Sequence, residues 1–240
     1  GRSLLRSPVL RVDGPVAEAV VSLAGVGYFE LTVNGRRVGA GRKWDVAFSA
    51  YAQRTHYVTF DLAPYLTDGD NVLGVELGNS WFGAAGWYQL PPYMGCSSAA
   101  DPTRHGQGHG TCNGGGFAYN VPNQLILRAR ITHINGTTVV LTTGGGGGTV
   151  AEGNGDVDAQ QWMAGVGPIT FDSLYDGEHY DARQEQPGWD TPSFSVTATA
   201  TTNWTAAKAV PDAANPLVNA TLSAQLYEPI KVVAAQPAVS

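Results

Sequence analysis

The stretch LAGVGYFELTVNGRRVG, residues 23 to 39, constrains the fold more than any other part of the chain. Phe29, Leu31 and Val33 alternate with Tyr28, Glu30 and Thr32, so an extended strand here has one apolar and one mixed face. Asn34-Gly35 follows at once. That dipeptide readily takes the positive φ angles of a type I′ turn, which predicts that the strand folds back through Arg37 and Val38.

Composition points the same way. Charged residues are 14% of the 240, against 31 glycines and 14 prolines, a profile of many short strands joined by turns and not of long amphipathic helices. Residues 9 to 12 read as a short strand and 19 to 33 as a longer one. Tyr57 to Leu62 alternates again, Pro64-Tyr65-Leu66 reads as a single helical turn, and Val72 to Leu77 as a strand after the polar turn Asp68 to Asn71. Leu125, Leu127, Ala129 and Ile131 alternate with Ile126, Arg128, Arg130 and Thr132, and Asn135-Gly136 turns that strand into Val139 to Thr142. Ile169 to Tyr175, Trp204 to Val210 and Tyr227 to Val233 complete the set. Between them lie an irregular stretch, 78 to 123, and five consecutive glycines at 144 to 148 that cannot pack a side chain. The expected fold is all-β: a jelly-roll-like antiparallel β-sandwich carrying a long irregular loop insertion, over residues 1 to 210, with 211 to 240 as an exit segment toward a following domain.

The formal charge of −6 and the absence of a Lys/Arg cluster with interleaved aromatics argue against nucleic acid as a partner. No apolar run approaches the roughly 20 residues of a membrane span. Three sequons, at Asn135, Asn203 and Asn219, argue for a secreted glycoprotein. Cys96 and Cys112 bracket a loop of Gly, Ser, Pro and His, where a disulfide would be worth about 3 kcal/mol in the chain-entropy picture. His105 and His109 share that loop and are zinc-ligand types, but a closed zinc site normally has its cysteines close together; a disulfide is the favoured reading over zinc or free thiols. No Gly-x-Ser-x-Gly elbow or P-loop is present.

Two ordered groups of motifs resemble the N-terminal β-sandwich region of bacterial-type α-L-rhamnosidases. The first runs Gly27-Tyr28-Phe29-Glu30-Leu31, Asn34-Gly35, Asp45, Tyr51, Arg54 and Tyr57, then Asp70-Asn71-Val72 and Leu77-Gly78-Asn79-Ser80-Trp81-Phe82. Ser80 and Phe82 depart from the family's Gly and Tyr. The second is Gly167-Pro168-Ile169, Tyr175-Asp176-Gly177-Glu178 and Tyr180-Asp181-Ala182-Arg183, followed by Gly188-Trp189 and Trp204. In such enzymes hydrolysis takes place in a separate helical barrel, so the resemblance implies a carbohydrate-recognition or accessory domain with no catalytic residue of its own, within a longer glycoside hydrolase.

The resemblance also implies a site. Some similar domains bind rhamnose through a calcium ion, whose six to eight oxygen ligands come from carboxylates, amides and carbonyls. Asp45 and Asn79 match as side-chain ligands and Val46 by its carbonyl, while Trp81 or Trp87 would offer the flat face a deoxy sugar packs against. The competing reading makes Asp45 a loop cap, Asn79 a turn residue and the tryptophans core. Asp176, Glu178 and Asp181 are carboxylates of the kind glycoside hydrolysis needs, but an ion pair of Asp181 or Glu178 with Arg183 is the better expectation. The expected partners are an L-rhamnose-containing glycan and a following catalytic domain or neighbouring subunits. The rival is an extracellular structural protein that kept the sandwich and lost sugar binding; a free-standing lectin is a third reading.

Overall fold

Alternation decides which face each strand buries. In Tyr28–Val33 the side chains of Phe29, Leu31 and Val33 are buried and those of Tyr28, Glu30 and Thr32 are half-buried. Leu127, Ala129, Ile131 and His133 do the same along Gln124–His133. A computed structural model gives the structure of the chain over residues 3–82, 123–143, 149–152, 157–158, 161–173, 177–196, 204–212, 215 and 217–235. It is an all-β sandwich of two large sheets.

The first sheet has six strands in the order Thr205–Ala206, Met163–Val166, Ser3–Arg6, Leu73–Gly78, Tyr28–Val33 and Arg36–Arg37. The second has seven: Val157–Asp158, Thr149–Glu152, Thr138–Thr142, Gln124–His133, Val16–Val26, Arg54–Asp61 and Thr221–Ala224. Their inner faces meet in one core of apolar side chains from both, among them Leu23, Leu31, Val75, Leu127 and Leu141, each stabilising the fold by about 1.5–3 kcal/mol through removal from water.

The stretch read as one strand from 19 to 33 is two. The chain breaks at Gly27, and its halves enter different sheets. Gly27 has φ +105°, and a Cβ there would lie 2.1 Å from the carbonyl oxygen of Gly78, so the crossing from one sheet to the other needs both the backbone freedom and the missing side chain.

Both Asn-Gly hairpins form. Thr32 pairs with Arg37 and Val33 with Arg36, leaving Asn34 and Gly35 as a two-residue loop with φ of 51° and 77°. The loop is tied to the polar turn of residues 68–71. Fully buried Asn71 accepts from Asn34 Nδ2 (2.7 Å) and the Thr67 amide (2.8 Å) and donates to the carbonyls of Thr67 and Gly69, while Asn34 Oδ1 accepts from the Val72 amide. Asn71→Ala strands these buried partners, and a loss of about 2 kcal/mol in urea unfolding is the expected result.

Part of the expected exit segment lies along the sandwich. Thr221–Ala224 adds to Arg54–Asp61 in parallel, and Ile230–Lys231 pairs antiparallel with Arg42–Lys43. Gln225 reaches back so that its Oε1 accepts the Ala47 amide at 3.0 Å. These bonds hold both ends of the loop that carries Trp44 and Asp45.

Candidate functional site

After the hairpin, the chain turns at Gly39 (φ +65°), with the Arg42 amide donating to the Gly39 carbonyl. This aims Arg42 along the loop at Asp45. The guanidinium grips the carboxylate as a fork, Nε to Oδ2 at 2.6 Å and Nη2 to Oδ1 at 2.8 Å, and its other side lies over the Phe60 ring at 5.1 Å. Asp45 is 6% exposed, so the charge is removed from water against a bidentate partner. Its carbonyl accepts the Phe29 amide at 3.0 Å, fixing the loop to the edge of Tyr28–Val33. Val46, next along, is buried in the main core.

Asn79 follows Leu73–Gly78, whose Gly78 pairs with Tyr28, so Asp45 and Asn79 lie on opposite sides of the start of Tyr28–Val33. Its amide donates to Asp172 Oδ2 at 2.7 Å, its Nδ2 to the Asp172 carbonyl at 3.0 Å, and its Oδ1 accepts from Asn123 at 3.1 Å. Trp81 is partly buried against a small satellite core of Val26, Tyr51 and Phe82. Its ring meets Phe48 at 6.0 Å, and Phe48, 44% exposed, also packs edge-on to Tyr51. Phe48 and Trp81 thus form an aromatic pair, three residues past Asp45 and two past Asn79 in the chain.

Three non-glycine residues among those described have positive φ: Asn34 in its turn, Trp44 (57°) and Ser80 (47°). The last two stand directly beside Asp45 and Asn79. Left-handed backbone costs an L-residue roughly 1–2 kcal/mol, and such strain gathers at functional positions.

The calcium expectation meets a different donor arrangement. The Asp45 oxygens already face a guanidinium at 2.6–2.8 Å, and the Asn79 oxygen is taken by Asn123. As they stand, these residues do not fit a calcium ion; Arg42 supplies the positive charge next to Asp45.

The ion pair expected near 181 is present: Arg183 forks onto Asp181 with both bonds at 2.8 Å, and the Asp181 side chain caps the helical turn Ala182–Gln184. Arg183's fork, with help from Gln184, holds the Asp181 carboxyl well below the usual carboxylate range. Its small stabilisation is present above the ordinary carboxylate pKa and fades as pH falls toward the depressed value. Arg183 is 89% exposed, so solvent screens the pair, and it closes a local turn more than it locks the fold.

Asn135 sits exposed at its hairpin tip, its Oδ1 accepting from Thr137 Oγ1 at 2.7 Å, and Asn219 is exposed in a turn. Trp87, Cys96, His105, His109, Cys112, Asp176 and Asn203 lie outside the described residues. The sequence reading missed Arg42, Phe48 and Asp172; Arg42 stands three residues before Asp45, a spacing that could have drawn notice. It also passed over a cleft of about 740 Å³ lined by Thr55, Leu125, Trp162 and Ala207 among others, which adjoins the candidate site through Asn123, the partner of Asn79, and Val26, in the cluster that Trp81 packs against.

The comparisons with known proteins agree with this architecture. The family model described as "Alpha-L-rhamnosidase N-terminal domain" matches residues 14–234. An α-L-rhamnosidase of Formosa agariphila is 28% identical over 185 residues, covering 77% of this chain and 16% of its own length, and one of Streptomyces avermitilis is 26% identical over 179 residues, covering 75% and 13%. The chain therefore spans less than a fifth of these relatives. Among solved structures, the Streptomyces avermitilis α-L-rhamnosidase complexed with L-rhamnose superposes with a TM-score of 0.67 at 24% identity, covering 95% of this chain and 17% of that one. The native enzyme of Aspergillus terreus gives 0.60 at 22% identity, covering 91% and 20%. With 221 of its residues matched in one run, the chain belongs to the family of α-L-rhamnosidase N-terminal domains.

Proposed function

We propose that this chain is a non-catalytic accessory domain of a longer, secreted α-L-rhamnosidase-type polypeptide, and that it recognises an L-rhamnose-containing glycan at the rim formed by Phe48 and Trp81 beside Arg42, Asp45 and Asn79. The observation that carries this reading is the coincidence of two strained positions, Trp44 and Ser80, with a partly exposed aromatic rim and a buried charged fork. The rim offers a flat apolar surface to a methyl-bearing sugar, and the polar groups beside it offer hydroxyl partners. Exposed Asn135 and Asn219 support export and glycosylation.

The competing reading, a packing domain without sugar binding, is favoured by the apolar side chains of the C-terminal segment, where Leu226 is 91% and Val233 96% exposed. Calorimetric titration with L-rhamnose separates the two. Saturable binding that weakens at least tenfold in Trp81→Ala is expected. Because Arg42 takes the place of a cation, the affinity is expected to stay within twofold when EDTA replaces calcium. A flat titration of the folded wild-type chain under both conditions would leave the packing reading.

A further inference from the structure

The outer face of the six-stranded sheet is covered over one half and open over the other. Trp189 and Asp190 close over Gly74, where an added Cβ would lie 2.8 and 2.6 Å from them, and Trp204 covers Gly165 with ring atoms 2.7–2.9 Å from the corresponding position. Trp189 and Trp204 stack at 6.0 Å, and Phe194 packs against Trp204. Along the same face, at Tyr28, Glu30 and Glu76, that covering is replaced by partly exposed side chains.

The open half has a particular chemistry. Trp44, 60% exposed, lies nearly parallel to Tyr28, with ring centroids 6.1 Å apart and planes 17° from parallel. Packing against the core does not explain an indole held outward on a backbone at φ 57°. Across from Tyr28 is Gly78, which puts no side chain in the neighbouring slot, and Glu30 stands directly opposite Glu76. Two carboxylates at facing positions of an antiparallel pair cost a sheet stability. Arg37 bonds to Glu30 at 2.7 Å, adding a donor to the same patch. On the far side, Tyr180 is 55% exposed; its hydrogen bond to Glu185, its partial burial and the negative charges of Glu185, Glu76 and Glu178 push its hydroxyl above the usual range.

A stacked aromatic ledge beside planar acceptors and a planar donor suits a pyranose ring, whose C–H face packs on the aromatic while its hydroxyls bond at the edge. The two facing carboxylates, Glu30 and Glu76, favour a neutral sugar over a uronic acid.

We propose that this open half of the sheet, with Trp44 on Tyr28 beside Glu30, Arg37 and Glu76, is a second glycan-contacting surface that takes a neutral pyranose linked to the sugar held at the rim. The linkage to a sugar at the rim rests on the function proposed above; the surface itself does not. The domain then reads a short stretch of glycan, and its preference for a disaccharide over the free monosaccharide comes from Trp44.

The test is titration of the chain with L-rhamnose, with α-L-rhamnosyl-(1→6)-D-glucose and with α-L-rhamnosyl-(1→4)-D-glucuronic acid. The wild type is expected to bind the neutral disaccharide about tenfold more tightly than L-rhamnose and more tightly than the acidic one. Trp44→Ala brings the first ratio to about one, and Glu30→Gln narrows the gap between neutral and acidic disaccharides. A wild-type ratio near one, or a tenfold ratio that survives in Trp44→Ala, overturns the second surface and leaves the rim untouched. Disaccharide binding that needs Trp44 while L-rhamnose gives no heat upholds the surface and overturns the rim. No binding of any of the three sugars overturns both.

Discussion

Gly27→Ala is expected to destabilise the domain by roughly 3–5 kcal/mol, read as a lower urea midpoint at an unchanged slope. Two costs add. At φ +105° an L-residue strains the backbone by roughly 1–2 kcal/mol, and the new methyl would sit 2.1 Å from the Gly78 carbonyl oxygen, with the Asn123 side-chain oxygen at 3.3 Å. The first contact is with backbone of the neighbouring strand, which cannot rotate away as a side-chain end would. Gly78 is the partner of Tyr28 and precedes Asn79, so the displacement falls on the crossing between sheets and on the candidate site together. Gly14→Ala is the control. It has φ +84° with nothing within 4 Å of the added carbon, so it carries the strain alone and is expected to cost about 1 kcal/mol. Equal losses at the two positions would show that the close approach to Gly78 has no energetic weight.

Arg42→Ala is expected to cost about 3 kcal/mol and to weaken L-rhamnose binding. Removing the guanidinium leaves a nearly buried Asp45 carboxylate without its two short bonds, and an uncompensated charge costs more than the pair contributes. Arg42 also covers Phe60, so apolar packing is lost with the charge. Removing both partners relieves the stranded carboxylate, so Arg42→Ala/Asp45→Ala is expected to be more stable than the sum of the single changes by about 2 kcal/mol. Arg42→Lys restores charge but not the planar fork and is expected to recover less than half of the loss. Additive single changes in the cycle would show that the pair is not coupled.

Local features of the sequence were the legible ones. Each Asn-Gly turn lies within a few residues of the strands it joins, and its backbone requirement belongs to the dipeptide. Alternation likewise fixed the buried faces of Tyr28–Val33 and Gln124–His133. The break at Gly27 depends on a carbonyl 51 residues away, and in sequence Gly27 looks like one more small residue in a long apolar run. Thr221–Ala224 has four residues and pairs with Arg54 to Tyr57, a partner that no local pattern names. At the candidate site, Asp45, Asn79 and Trp81 were singled out through a family resemblance. The fork from Arg42 was not, because it depends on the chain turning at Gly39. Trp44 and Phe48 were missed for another reason: in sequence an aromatic residue reads as core, and only its placement shows that it faces water.

In the proposed function, the loop carrying Arg42 to Phe48 and the segment from Asn79 to Phe82 form one glycan-binding rim. The most direct measurement is mapping of amide chemical shifts in the 15N-labelled chain as L-rhamnose is added. The account predicts saturable shifts concentrated at 42 to 48 and 79 to 82, with little change at Thr55, Leu125 and Ala207 around the cleft. Saturable shifts confined to those cleft residues, or none at any concentration, would contradict it.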